Sequence, residues 1–297
     1  MAARGFAAVL TRRVLCRDLD GSMWEALPPA SQALVKSELL ASLRDEEQRY
    51  VYNKVGDTVA VLATTVAGEG GWPELLPFLF QCVQAGQDRL LESSLHIFAE
   101  IITMGVPEAL LQHLDSLHAV LGQCMSSQTA EVRLSALRAC SYFIRELEKP
   151  AHRNKFQDLI PHMLRCLEAA LQSGDENDAQ AALEMFIDVG ENQPRFLRKQ
   201  LVAVVSAVLS VVEMQDLMSD TRQLASEFLI TLAEARDKAP GMMRKLPDFA
   251  PRLFQSCVSF LLDIEDEAEW HSALETHENA GEGELYDVGQ DCLDRLA

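Results

Sequence analysis

The sequence is poor in aromatic residues and lacks the patterns that mark β-strands, disulfide frameworks and membrane spans. Aromatic residues make up 6% of the 297 positions, and Leu and Ala dominate in place of alternating Val, Ile and Tyr. This composition favours helices. The seven cysteines are scattered singly, without a Cys-x-x-Cys pair, which favours reduced, buried thiols. No apolar run approaches about 18 residues without a charge or a helix breaker, so we expect no membrane insertion.

Positive charge is scarce as well. The chain has 45 acidic and 26 basic residues, which gives a formal net charge of −19. Such a protein repels nucleic acid and anionic membranes, so we expect no direct nucleic-acid binding and protein partners with basic surfaces. The imbalance is concentrated in positions 263–297, which hold twelve acidic residues and a single basic residue, Arg295.

Signatures of catalysis and of metal binding are missing from the sequence. It contains no His-x-x-x-His, Gly-x-Ser-x-Gly, P-loop or Gly-x-Gly-x-x-Gly pattern, and the glycines of segment 68–71 have the wrong spacing for phosphate binding. Carboxylates are plentiful, but nothing in the sequence sets two of them across a cleft. We therefore predict a protein that is not an enzyme and that has no cofactor and no metal site.

What the sequence does contain is an internal repeat of 42 residues. Cys82, Cys124 and Cys166 are spaced by that distance and close three segments that align without gaps: Leu76–Cys82, His118–Cys124 and Ile160–Cys166. A related segment, Ala250–Cys257, has one extra residue. Because the cysteines fall on equivalent positions, we interpret them as inert core thiols.

A second amphipathic segment follows each of these, with apolar residues at i, i+3, i+4 and i+7. We call the first helix of each pair the outer helix and the second the inner helix. Small residues such as Ala136 and Ala182 allow close helix packing. Two helices in each period of about 42 residues are typical of HEAT repeats, whose period is about 40–47 residues. The predicted fold is therefore an all-α HEAT-repeat α-solenoid, a superhelix of about six antiparallel helix pairs.

The repeat boundaries follow from helix-start signals, such as Asp175–Asp178 and Ser219–Thr221. We expect a partial first unit at 1–63, followed by four helix pairs at 72–103, 107–147, 154–191 and 194–236. A last outer helix at 247–262, an acidic loop at 263–286 and the start of the next repeat helix at 287–297 complete the order. No polar capping repeat is evident, so we expect an excerpt of a longer array.

Two segments allow more than one interpretation. Residues 1–17 contain four arginines and no acidic residue, a pattern that is typical of a mitochondrial transit peptide but also of a helix with arginines on its exposed face. We favour the helix.

The segment after Leu262 loses its periodicity and accumulates acidic residues, which fits a solvated linker or an electrostatic contact for a basic partner. Trp270 favours the contact, because a Trp in a polar loop usually packs on something.

The segment from Asp263 to Trp270, with the acidic residues that follow it and Asp291–Ala297, resembles the acidic loop and next helix of importin-β-type receptors. Other segments fall in the same order as similar residues of that family: Ala7–Arg13, Trp72–Glu74, Leu95–Phe98, Arg195–Arg198 and Gln223–Ala225. The resemblance covers nearly the whole chain, and it assigns Arg12 and Arg13 to a repeat.

The resemblance implies a monomeric nuclear transport receptor that shuttles between cytoplasm and nucleus. Its partners would be the GTP-bound form of the small GTPase Ran, cargo proteins with basic nuclear-localisation signals, and Phe-Gly nucleoporins bound in apolar grooves between outer helices. The alternative is a HEAT-repeat scaffold of another class, such as a phosphatase regulatory subunit or a tubulin-binding array.

The residues we expect to contact Ran or basic cargo lie mainly in the acidic loop. They are Asp263, Glu265, Asp266, Glu267, Glu269 and Trp270. A second set of candidates lies on the inner helices, where solvated, solubilising charge is the competing interpretation. These are Glu184, Asp188, Glu191, Glu227 and Glu234.

Overall fold

The computed structural model describes residues 2–16, 23–66, 71–103, 108–264 and 284–296, and every regular element in these ranges is a helix. The chain divides into two compact units, residues 1–156 and 157–297. None of the helices in the described ranges is long and apolar enough to cross a membrane.

The first unit contains ten α-helices among its described residues. They are α1 (Ala2–Cys16), α2 (Met23–Ala26), α3 (Pro29–Asp45), α4 (Arg49–Thr65), α5 (Leu75–Gln84), α6 (Asp88–Thr103), α7 (Glu108–Leu111), α8 (Leu114–Cys124), α9 (Ala130–Glu146) and α10 (Pro150–Arg153). Helices α1, α4, α6 and α9 pack side by side in that order, and α3, α5 and α8 each pack on the helix that follows them. The unit is therefore a stack of helix pairs, as the sequence predicts.

Helix α6 illustrates why the second helix of a pair is apolar around much of its circumference. Its neighbours α4 and α9 cover two sides and α5 covers a third. Leu95, Ile97, Phe98 and Ile102 are at most 1% exposed, although they do not share one narrow stripe. A helix that is covered on several sides needs a wide apolar surface, and the burial of that surface drives the stacking.

The second unit contains six α-helices among its described residues. They are α11 (Ile160–Ser173), α12 (Glu176–Asn192), α13 (Leu201–Glu213), α14 (Ser219–Glu234), α15 (Phe249–Phe260) and α16 (Glu284–Leu296). Helices α12, α14 and α16 pack side by side, and α11, α13 and α15 each pack on the next helix. Because α16 packs on both α15 and α14, it is the second helix of the pair that α15 opens, and it begins at Glu284 rather than at residue 287.

The close approach of α16 to α15 depends on a glycine. A Cβ atom at Gly289 would lie 2.8 Å from the carbonyl oxygen of Cys257 and 2.9 Å from the Cβ atom of Phe260. Both distances are shorter than a methyl group tolerates, so the side chain of any other residue would push the helices apart. The two thiols of Cys257 and Cys292 lie next to this contact, are buried, and are hydrogen-bonded to each other.

Of the two helix starts predicted from capping residues, one is confirmed and the other is wrong. Asp175 caps α12 as expected, because its Oδ1 atom accepts the backbone N–H of Asp178 at 3.2 Å. The prediction for Ser219–Thr221 is wrong, since the cap position of α14 is Met218 and no side chain from that segment caps it. Instead Glu176 of the preceding repeat accepts the Met218 N–H at 2.9 Å. A carboxylate in one pair thus satisfies a helix end in the next.

The cysteines at the 42-residue spacing lie in equivalent places. Cys82, Cys124 and Cys166 are all buried on the first helix of a pair. Burial raises the pKa of the Cys82 thiol, and it raises the pKa of Cys124 to about 11. Both thiols are therefore protonated at neutral pH, which fits their interpretation as inert core residues.

Candidate functional site

Of the six candidate residues in the acidic segment, the structure describes one, Asp263. Glu265, Asp266, Glu267, Glu269 and Trp270 lie outside the described residues. Asp263 is half-buried, and its Oδ2 atom accepts the backbone N–H of Leu285 at 3.2 Å. It also lies close enough to Arg222 to raise the pKa of that guanidinium, although burial lowers it by more. This carboxylate therefore satisfies the N-terminal turn of α16.

The second set of candidates forms one surface of the second unit. Glu184, Asp188 and Glu191 follow the i, i+4, i+7 spacing of a single face of α12. Glu227 and Glu234 lie seven residues apart on α14, and each is 43 residues after a counterpart on α12. Because α12 and α14 pack side by side, the repeat brings these acids to matching positions of neighbouring helices. We call these five residues the acidic second-helix surface.

One arginine binds two members of this surface. The Nη1 and Nη2 atoms of Arg295 donate to the two carboxylate oxygens of Glu227 at 2.6 and 3.0 Å. Its Nε and Nη2 atoms donate to the two oxygens of Glu234 at 3.0 and 2.8 Å. Two glutamates seven residues apart thus hold one guanidinium through four charge-assisted hydrogen bonds. These bonds raise the pKa of Arg295 and lower the pKa of Glu234.

Sequence reasoning missed this clamp. The isolated position of Arg295 in an acidic stretch was a usable signal, because a lone cation among many anions is expected to find a carboxylate partner. Sequence could not say which carboxylates, since Glu227 precedes Arg295 by 68 residues and the contact depends on the packing of α16 against α14.

The members on α12 are in a different state. Glu184 and Glu191 are exposed, and neither carboxylate has a hydrogen-bond or ion-pair partner within the described part of the chain. Asp188 is half-buried between them and accepts the side-chain N–H of Asn192 at 3.1 Å. The α12 pair therefore repeats the seven-residue spacing of the clamp without a cation between its carboxylates, although the ammonium group of Lys238 donates to the backbone oxygen of Glu191 at 2.5 Å.

The first unit uses its second-helix carboxylates differently. Asp57 of α4 contacts Arg12 of α1 at 3.3 Å, Lys54 at 3.1 Å and His96 of α6 at 2.9 Å. Burial raises the pKa of Asp57, but hydrogen bonds from His96 and Lys54 outweigh that effect and lower the pKa to about 2. Asp57 is consequently ionised and fully neutralised by neighbours. The sequence analysis did not single it out, because its partners come from three separate helices.

A groove of about 320 Å³ lies on the first-helix side of the first unit, between α3 and the start of α5. Leu40, Trp72 and Pro73 supply its apolar wall. Lys36 donates to the backbone oxygen of Gly71 at 2.9 Å and lies 5.9 Å from the centre of the Trp72 ring, which fixes the ring in place. The groove thus lies between the first helices of two neighbouring pairs.

Comparison with known proteins gives two family matches. Residues 47–207 match a model described as IPO5-like, TPR repeats, and residues 214–297 match one described as an importin repeat. The chain is 27% identical over 244 residues to a probable importin-5 homolog from Dictyostelium discoideum, covering 82% of this chain and 22% of that protein. It is 24% identical over 271 residues to importin subunit beta-3 from Saccharomyces cerevisiae, covering 89% and 24%.

Solved structures show the same fold. A mutant of Kap121p matches with a TM-score of 0.82 at 21% identity, covering 98% of this chain and 27% of that chain. Kap121p bound to RanGTP matches with a TM-score of 0.78 at 21% identity, covering 98% and 27%. The chain thus has the HEAT-repeat solenoid fold, and it spans about a quarter of the length of these relatives. It belongs to the importin-β family of karyopherins, among the importin-5-like members.

Proposed function

We propose that this chain is part of a nuclear transport receptor, and that its acidic second-helix surface binds Lys- and Arg-rich segments of partner proteins. The partners would be cargo proteins with basic nuclear-localisation signals and the GTP-bound form of Ran. The proposed role is binding rather than catalysis, and it requires the protein to move between cytoplasm and nucleus.

The observation that carries the proposal is the Arg295 clamp. It demonstrates that two glutamates seven residues apart on a second helix have the geometry to hold a guanidinium group. Glu184 and Glu191 repeat that spacing on α12 and are exposed, and their carboxylates bind no cation within the described residues; Lys238 donates to the backbone oxygen of Glu191 at 2.5 Å and not to its carboxylate. A basic side chain of a partner would find the same pair of acceptors there, and the net charge of −19 would attract it from a distance.

The solved relatives support these kinds of partner. Kap121p, which shares the fold, has been crystallised bound to RanGTP, to Pho4p, to Ste12p and to Nup53p. For Phe-Gly nucleoporins, the support is the groove beside Trp72, whose apolar wall and volume of about 320 Å³ suit a phenylalanine side chain.

The test is a charge reversal with a matched control. In Glu184→Lys/Glu191→Lys we expect an Arg/Lys-rich peptide to bind about tenfold more weakly than to the natural chain, because two attractive contacts become repulsive. The control is Glu168→Lys/Asp216→Lys, which makes the same change of charge at exposed positions outside the surface. Fluorescence anisotropy titrations at several salt concentrations measure both. Equal losses in the two variants would refute the surface and leave only a general charge effect.

A pull-down separates this proposal from a scaffold of another class. The protein should retain Ran loaded with a non-hydrolysable GTP analogue, retain less Ran-GDP, and bind immobilised Phe-Gly repeats. Binding of neither Ran-GTP nor the Phe-Gly repeats would refute the transport-receptor proposal. A HEAT-repeat scaffold of the phosphatase or tubulin-binding type would behave in that way.

A further inference from the structure

A basic groove lies in the second unit, beside the Glu234 end of the acidic second-helix surface. It is formed by the connection between α14 and α15, where a cavity of about 390 Å³ extends from Leu232 to Ala250. A smaller cavity of about 90 Å³ lies on the other side of the same connection, against the 3-10 helix Pro194–Lys199. The two cavities share Ala239, Pro240 and Met242 in their walls. We propose that this groove binds an acidic peptide segment of a partner protein that carries an apolar side chain.

The floor of the groove is apolar and already formed. Leu232, Ala239, Met242 and Phe249 line it, and each of them is at most 7% exposed. Their packing fixes the connection on the body of the unit. A floor that does not have to rearrange can accept an aliphatic or aromatic side chain without an ordering cost.

The rim of the groove is positively charged. Arg236 and Arg244 line the larger cavity, and Arg195 and Arg198 line the smaller one. All four are exposed, and within the described part of the chain none of their guanidinium groups has a hydrogen-bond or ion-pair partner. None of the described lining residues of either cavity is acidic.

Three other arginines of the same unit have partners, whereas Arg165 on α11, like the rim arginines, has none within the described residues. What distinguishes the rim is that four such arginines gather around one groove. Arg252 binds both oxygens of Glu213 at 2.9 and 2.8 Å, and Arg222 donates to the backbone oxygen of Val212 at 3.0 Å. Arg295 is held by the clamp. Arg236 lies close enough to Glu234 to help lower the pKa of that carboxyl, but no carboxylate is within ion-pair distance of any of the four guanidinium groups in the described residues. In a chain with 45 acidic residues, four such groups around one apolar groove form a local site for anions.

The chemistry of the groove selects the occupant. Guanidinium groups bind carboxylates through paired hydrogen bonds, while the apolar floor has no use in binding a small anion. A duplex nucleic acid would present phosphates over a much wider area than the groove, so most of its charge would face the anionic surface around the groove. A short acidic peptide with a Leu or Phe side chain fits both the rim and the floor.

The experiment uses the whole chain and a fluorescein-labelled peptide, Glu-Asp-Glu-Leu-Phe-Glu-Asp-Glu, in anisotropy titrations at low and high salt. We expect saturable, salt-sensitive binding that Arg236→Glu/Arg244→Glu weakens by about tenfold or more. The matched control is Arg138→Glu/Arg165→Glu, two exposed arginines outside the groove whose side chains have no partner within the described residues. It should leave the affinity within about twofold of the natural chain.

Three further results decide the question. A peptide with Ser in place of Leu and Phe should bind several-fold more weakly, and equal binding would overturn the proposed use of the floor. Equal losses in the two arginine variants, or tighter binding of a single-stranded oligonucleotide than of the peptide, would overturn the proposal. Circular dichroism checks the folding of the variants, and the milder Arg236→Gln, with an expected loss of about threefold, replaces the double variant if that one unfolds.

Discussion

The two units of the chain contain the same repeated helix pair but differ in which carboxylates on the second helices have cationic partners. In the first unit Asp57 is surrounded by Arg12, Lys54 and His96, and Glu92 binds Arg49 at 2.8 Å. In the second unit the equivalent row of second helices exposes Glu184 and Glu191, whose carboxylates bind no cation in the described residues, and it shares a single arginine between Glu227 and Glu234.

The repeat of helix pairs and the pairing of charged side chains are therefore set by separate residues. The buried apolar positions recur in both units and produce the stack. The charged positions on the second helices vary from repeat to repeat: Asp57 and Glu92 of the first unit and Glu227 and Glu234 of the second bind cations, while the carboxylates of Glu184 and Glu191 do not within the described residues. An anionic protein can therefore leave particular carboxylates without a cation at defined positions even though acidic residues occur along its whole length.

The largest expected effect concerns the shared core rather than the charges. Phe228 is fully buried and packs edge-on against Phe186, with ring centroids 5.8 Å apart. We expect Phe228→Ala to lower the free energy of unfolding by about 3–5 kcal/mol, because it removes a large core side chain and leaves a cavity. Urea titration followed by circular dichroism measures the loss, and hydrogen exchange should locate the loosening in α12, α14 and α16.

The control for this variant is Phe254→Ala on α15, where the side chain is 59% exposed and the expected change is within about 0.5 kcal/mol. If Phe228→Ala loosened the helices of the first unit as much as those of the second, the two units would unfold together. They could then not be compared as separate units.

The next effect tests the neutralised state of the first unit. The pKa of Asp57 is lowered from 3.8 to about 2, so the folded state binds the proton of this carboxyl less readily than the unfolded state. The resulting stability is fully present above about pH 4 and is lost as pH falls through about 2, and we expect about 1–2 kcal/mol. The measurement is the free energy of unfolding between pH 5 and 2 for the natural chain and for Asp57→Asn.

In Asp57→Asn this part of the pH dependence should disappear. Glu168→Gln, which alters an exposed carboxyl of α11, should retain it. Identical pH profiles for the natural chain and Asp57→Asn would mean that the ion pairs around Asp57 do not stabilise the first unit.

The smallest effect tests the availability of carboxylates in the second unit. Arg295→Gln removes the cation from between Glu227 and Glu234, so the second pair of glutamates becomes free to accept a basic side chain. Stability should fall by about 1 kcal/mol, because the ion pairs are partly exposed. The affinity for an Arg/Lys-rich peptide should rise by about threefold to fivefold.

Arg252→Gln is the matched control for Arg295→Gln, since it breaks the ion pair of Arg252 with Glu213 on the first helices of the same unit. It should cost a similar amount of stability without a gain in peptide affinity. A gain in both variants would assign the effect to net charge, and a gain in neither would mean that the clamp does not limit binding.

Sequence reasoning recovered the helix pairs because their cause is local. The 42-residue spacing of Cys82, Cys124 and Cys166 and the apolar periodicity of the helices follow from which residues must be buried, and burial repeats with the helix pair. The cap on α14 was assigned to the wrong residue, because Glu176 of the preceding repeat supplies it. That contact joins residues 42 positions apart and leaves no trace in the local pattern.

The candidate acids on α12 and α14 were predicted from their place on the inner helices, and their binding of a partner stays a prediction. The structure adds that Glu184 and Glu191 recur 43 residues later as Glu227 and Glu234. Their different states could not be read from the sequence, since Glu227 and Glu184 occupy equivalent positions and only the approach of α16 gives one of them an arginine. For the five residues of the acidic loop beyond Ile264, the expectation of a Ran or cargo contact stays a prediction.

By itself, then, the sequence determined the class of fold, the period of the repeat and the sign of the charge. Hydrophobic burial and helix periodicity act within one repeat, and every repeat carries their pattern. The tertiary structure decided which carboxylates are neutralised, which are free, and where unpaired arginines gather around an apolar groove. Those properties depend on side chains from different helices meeting at about 3 Å, and an electrostatic contact at that range is set by packing rather than by neighbours in the chain.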